Sequence, residues 1–171
     1  MTALVTPDYA RLMARYNAWQ NRSLYREADK LTDAQRREDR GAFFGSVQRT
    51  LCHILTIDHV WMSRFDGWEM PAARGAQSPD WYPDWEPLCA ARVETDARLI
   101  AWADGLTESA LEGDLTWQSG LAGGTQTKPL ALLVAHMFNH QTHHRGQVHA
   151  LLTGFGCRPD DTDLGFMPAD A

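Results

Sequence analysis

His140 and His144 stand four residues apart in the run NHQTHHRGQ, Asn139 to Gln147, within a segment that holds five of the chain's seven histidines. On a helix that spacing puts both imidazoles on one face, where they can ligate a single first-row metal ion at about 2.0–2.1 Å per nitrogen. Two imidazoles leave such a site incomplete. A second segment, LCHILTIDHVWMSRF from Leu51 to Phe65, lies far away in the chain and offers His53 and His59 as further donors.

The elements that must position these residues read as helices. A stripe of Leu130, Leu133, Val134, Met137, Val148, Leu151 and Leu152 defines the buried face of a helix that opens near Pro129 and ends at Gly154. Projected onto it, His144 falls inside the stripe and His140 on its edge, while His136, His143 and His149 turn away. The Leu51 segment belongs to a second helix, capped by Ser46 and running to Phe65. There Val47, Leu51, Ile54, Trp61 and Phe65 centre a wide apolar face; His53 falls on its buried flank and His59 on the narrow face expected near solvent. Three buried imidazoles without partners are costly, and one metal ion satisfies all three nitrogens at once. Helical projection therefore selects His53, His140 and His144.

Asp58 lies in the middle of the same apolar face, where an unpaired carboxylate is unfavourable by several kcal/mol, so it requires a partner. The candidates are the metal site, a buried hydroxyl, or a basic side chain such as Arg145, and an ion pair suits an acceptor-only carboxylate best. Gln147 projects close to His140 and is a candidate to touch a ligand or substrate; Arg145 projects to the opposite flank. Asn17 and Asn21 fall one turn apart on the first helix, Pro7 to Leu31, and either cap or orient a site or form a solvated pair.

A third helix spans Pro87 to Leu106 with no evident chemistry. Residues 67–87, GWEMPAARGAQSPDWYPDWEP, read as a long ordered loop whose Trp68, Trp81, Tyr82 and Trp85 line a pocket mouth or form a satellite core. TDAQRREDRGAF is a polar connector with a short turn of helix at most. DLTWQSGLAGGTQTKP is either a small hairpin or an extended loop.

Composition narrows the function classes. One domain over residues 1–171 is the default at this length. A net charge of −6 and a pI near 5.6, with no basic stripe, argue against nucleic acid as a partner. Neither a secretory signal nor a membrane span is visible. Cys52, Cys89 and Cys157 are odd in number and form no CxxC pair, which fits reduced thiols in a cytoplasmic protein.

HMFNHQTHHRGQVHALL, HILTIDHVWMSRF, the early YNAWQN and the late PDDTDL resemble the DinB family, within the wider DinB/YfiT-like group. The most specific part is HxxxHRGQ, here His140, His144, Arg145, Gly146 and Gln147. The resemblance implies an all-α, up-down four-helix bundle with the Trp/Pro-rich loop between helices 2 and 3, and a homodimer. It also implies a nickel or zinc ion held by His53, His140 and His144. Relatives include S-transferases using low-molecular-weight thiols and proteins described as hydrolases. Three neutral imidazoles leave a divalent ion its full charge and an open position, which suits catalysis on a small molecule. The alternative is a non-catalytic, stress-related binding protein whose metal locks the helices together.

Overall fold

The computed structural model of the protein describes residues 4–169, and its four long helices are α1 (Pro7–Asp29), α3 (Val47–Phe65), α4 (Trp85–Gly105) and α5 (Leu130–Gly154). Local chemistry sets their starts. Thr6 accepts from the Tyr9 N–H at 3.2 Å, with Pro7 in the first turn of α1, and Ser46 accepts from the Arg49 N–H at 3.3 Å to open α3. The end of α5 is closed by the Cys157 N–H on the Leu152 carbonyl at 3.0 Å, across Gly156 in the left-handed region at φ 82°.

The architecture corrects the expectation of a simple up-down four-helix bundle in three respects. A fifth helix, α2 (Asp33–Arg37), interrupts the polar connector because Thr32 and Gln35 form a reciprocal capping box. The chain is also not purely helical. Strands β1 (Asp114–Gln118) and β2 (Thr125–Pro129) pair antiparallel with Thr116 opposite Thr127, the turn closing through Gly123 and Gly124 at positive φ. This hairpin abuts the first turn of α5, where the Leu130 N–H donates to the Gly113 carbonyl at 3.0 Å.

The third correction concerns direction. Two apolar clusters fill the interior: one contains Met13, Met62, Leu99, Val134 and Phe138, the other Leu24, Leu51, Leu55, Leu88 and Leu152. The first cluster takes the early part of α1 and α5 but the late part of α3 and α4. Helices α3 and α4 therefore run the same way, opposite to α1 and α5. Parallel neighbours in sequence need a connection that returns along the whole helix. Residues 66–84 supply it: Trp68 N–H reaches the Met62 carbonyl, Ser78 meets His53 and Thr56, and the Pro83 carbonyl accepts from Gln48 at 2.7 Å. The long ordered loop is thus a crossover strap packed down the length of α3, with a 3-10 turn at Gly75–Asp80, and of the two roles open to its aromatics Trp68 and Trp85 take the core one. Trp68 and Trp85 are buried in the two clusters, the latter stacked on Tyr25 at 5.5 Å.

Between the apolar clusters lies a polar layer contributed by all four long helices. Asn17 and Asn21 of α1 are 0% and 2% exposed, so they are core residues and not a solvated pair. Asn17 donates to Gln141 Oε1, Gln141 Nε2 donates to Asp58 Oδ1 at 2.6 Å, and Asn21 Nδ2 donates to Asp96 Oδ1 at 2.9 Å. Arg92 of α4 sits between the acids. Polar side chains at mid-helix positions on four different elements reach one another only in one register, so the layer fixes how the helices align.

Candidate metal centre

His53 of α3 and His140 and His144 of α5 converge at the level of this polar layer, on the side where the two helices pack. Each offers one ring nitrogen, and these atoms all lie within 4.8 Å of one another; among the described residues the group has no fourth His, Cys, Asp or Glu member. His53 Nε2 and His140 Nε2 are 3.2 Å apart. Two nitrogens at about 2.0–2.1 Å from a tetrahedral ion would be separated by about 3.3 Å, so this spacing fits one edge of a coordination shell. The donor set, neutral nitrogen from three imidazoles, is one that zinc and nickel accept. The residues therefore fit a divalent transition metal, although His140 Nδ1 is buried without a partner.

Two of the rings are oriented from behind. His53 Nδ1 meets Ser78 Oγ at 2.7 Å, and Ser78 is itself fully buried, held to α3 by Thr56 Oγ1, which donates to its carbonyl at 2.7 Å. His144 Nδ1 meets Gln147 Oε1 at 2.9 Å. An amide oxygen only accepts, so His144 carries its proton on Nδ1 and turns the Nε2 lone pair towards the other rings. Gln147 Nε2 lies 3.2 Å from His143 Nε2, which makes the amide a bridge between the two adjacent histidines. The projection placed Gln147 beside His140; its contacts are with His143 and His144 instead, one turn of side-chain reach away. A further aromatic cover comes from Phe44, whose ring stacks on His53 at 3.9 Å, on a tight turn held by an Ala42–Gly45 bridge.

Electrostatics keep the cluster neutral. Burial, then the neighbouring rings of His140 and His144, push His53 down to about 3; burial followed by His144, His136 and His143 pushes His140 down to about 3 as well. His144 is lowered chiefly by burial, with Gln147 acting in the opposite sense. Unprotonated imidazoles are the form that binds metal.

The remaining candidates lie elsewhere. Asp58 forms an ion pair, as its acceptor-only chemistry suggests, but with Arg92 at 2.6 Å and not with Arg145. Its bonds run to Arg92 and Gln141, and none reaches the histidines among the described residues. Arg92 was hidden in a helix without evident chemistry. The signal was available, because Arg92 falls four residues after Leu88 and seven before Leu99 on the buried stripe of α4. Ser78 gave no such signal: it sits in an irregular segment whose path depends on the strap's packing. His59, expected near solvent, is half-buried. It donates to or accepts from Thr95 Oγ1 at 2.9 Å and packs edge-on against Trp68 and Trp81, and burial pushes it down to about 4.

No helix among the described residues is long and apolar enough to cross a membrane. The DinB family model matches residues 3–170 of the chain. The protein is 24% identical to Protein DinB of Bacillus subtilis (strain 168), over 92% of each chain. Its fold is similar to the crystal structure of a DinB-like protein from Bacillus cereus ATCC 10987, at a TM-score of 0.59 and 20% identity over 84% of this chain and 90% of that one. With its family model matched almost end to end, the chain belongs to the DinB family.

Proposed function

We propose that His53, His140 and His144 hold one nickel or zinc ion and that the site catalyses a reaction on a small molecule, either S-transfer to or from a low-molecular-weight thiol or hydrolysis. The observation that carries this reading is the donor count: three clustered nitrogens with no fourth protein ligand among the described residues. Structural zinc sites are closed by four protein ligands, whereas catalytic sites keep a position for substrate. His140 and Phe44 are partly exposed, so the cluster reaches the surface instead of being sealed inside.

A divalent cation held by three neutral imidazoles supplies Lewis acidity, the chemistry that acidifies a thiol or polarises a carbonyl near neutral pH. The chain's own residues prepare for that. Ser78 and Gln147 hold the His53 and His144 rings, and Gln147 keeps the His144 proton on Nδ1. Phe44 covers one face of the His53 ring and excludes water there.

Elemental analysis of protein purified without a histidine tag, followed by a panel of thiol and ester substrates, tests the reading. About one equivalent of nickel or zinc and turnover lost in His144→Ala are expected. Less than about a tenth of an equivalent, with none taken up on titration, would sink the site. Full loading with no turnover, and a large fall in melting temperature on chelation, would assign the metal to holding α3 against α5.

A further inference from the structure

Arg64 stands eleven residues after His53 on α3, and at about 100° per residue it returns to within about 20° of the same face, with Ile57 between them. Its guanidinium is held in a corner of two indole rings, 4.6 Å from the Trp61 centroid and 5.6 Å from that of Trp117. The rings themselves meet at 68° with centroids 5.7 Å apart. Trp117 belongs to β1, so the hairpin supplies one wall of the corner. Arg64 is half-buried, yet among the described residues it takes part in no ion pair and no hydrogen bond, and its donors are open to solvent. Burial lowers it from the ordinary arginine value with no carboxylate acting in the opposite sense, whereas Arg15 and Arg26 are raised by Asp104 and Asp160. A guanidinium stacks through its face while its N–H donors lie in its plane, so the two indoles fix the group and leave an edge free.

This corner is continuous with the histidine cluster. Trp61 meets the exposed His136 edge-on at 5.2 Å, and the His136 ring lies 6.1 Å from that of His140. A helix rise of about 1.5 Å per residue separates the His53 and Arg64 backbones by about 16 Å. Both side chains lean towards the start of α3, so the guanidinium and the cluster are about 10–15 Å apart. Along this side of α3 and α5 the order is therefore three imidazoles, a stretch walled by half-buried Ile57 and by His136, then a fixed cation.

We propose that Arg64 recognises the far end of the substrate of the histidine centre, and that this substrate is an elongated carboxylate. Its reacting end lies at His53, His140 and His144, its apolar middle against Ile57 and His136, and its carboxylate on the free edge of Arg64. The inference rests on the reading of that centre as a catalytic metal site. A planar carboxylate is the natural complement of a guanidinium edge, because the two form parallel charge-assisted hydrogen bonds.

Straight-chain thiol acids measure the separation, since the thiol ligates a metal at one end and the chain sets how far the carboxylate reaches. The cobalt-loaded full chain is titrated with mercaptoundecanoate, whose extended length matches the span, and with mercaptohexanoate, which falls short of it. The sulfur-to-cobalt absorption band reports binding without any turnover. Arg64→Met and Arg64→Gln remove the charge and keep the stem. Each is expected to raise the Kd of mercaptoundecanoate by about tenfold or more and to leave that of mercaptohexanoate unchanged. Cobalt uptake equal to that of the parent is the sign of an intact site. The proposal is overturned if neither acid weakens in the variants, if both weaken equally, or if removing the charge empties the site of cobalt. A parent chain that takes up no cobalt, or shows no absorption band with either acid, overturns the metal-site reading itself and this inference with it.

Discussion

Arg92 Nη1 donates to Asp58 Oδ2 at 2.6 Å, with the two side chains 3% and 1% exposed, and this bond joins α4 to α3 where those parallel helices otherwise touch sparsely. Burial pulls the guanidinium down, but the carboxylates of Asp96 and Asp58 outweigh it and hold Arg92 above the ordinary arginine range. Burial raises Asp58, moderated by Arg92 and Gln141. The pair lies at the centre of the polar layer, and Gln141, next to His140 in the chain, carries the network into α5.

Arg92→Met is expected to destabilise the protein by about 3–5 kcal/mol, because it leaves two buried carboxylates without their shared cation. Urea unfolding measures this. A loss below about 1 kcal/mol would mean that the acids find other partners or become protonated without penalty.

Ligand and non-ligand histidines should separate in metal content. His53→Ala, His140→Ala and His144→Ala are each expected to empty the site, whereas His143→Ala and His59→Gln should leave stoichiometry near the parent value by elemental analysis. His59 serves Thr95 and two tryptophan edges, so its variant should lose stability before it loses metal.

Ser78→Ala and Gln147→Leu act on ring orientation without removing a ligand. Metal affinity should fall by about 10–100-fold in each while binding persists, as measured by competition with a chelator. Unchanged affinity in both would show that the rings are held by packing, chiefly through Phe44, and not by these hydrogen bonds.

The metal-free protein should lose stability as pH falls below about 6.5. His53, His140 and His59 have folded values near 3, 3 and 4, beneath the ordinary histidine value, so the unfolded chain binds more protons in this window. Their contribution is complete above about 6.5 and is lost on acidification towards 3–4, with a slope of up to about 1.4 kcal/mol per pH unit for each group. Asp58, raised by burial, works in the opposite sense at the acidic end. Unfolding free energies of the chelated protein between pH 7 and 5 check the sign, and His53→Gln should reduce the slope by about one proton.

What the sequence by itself determined is whatever depends on spacing along one helix. The i, i+4 pair His140 and His144, the buried flank of His53, the cap at Ser46 and the end at Gly154 are local or periodic, so composition and a 3.6-residue repeat carry them. The burial of Asp58 and its need for a cation were legible for the same reason. Which cation answered it was not: Arg92 lies 34 residues away on a helix that meets α3 only because residues 66–84 return along its length. Ser78 reaches His53 through that same strap, and Asn17 and Asn21 become core only once Gln141 and Asp96 arrive from α5 and α4. Helix direction, cross-helix partners and the corner that Trp61 and Trp117 form around Arg64 are properties of packing between elements, set by contacts distant in the chain that no single stretch encodes.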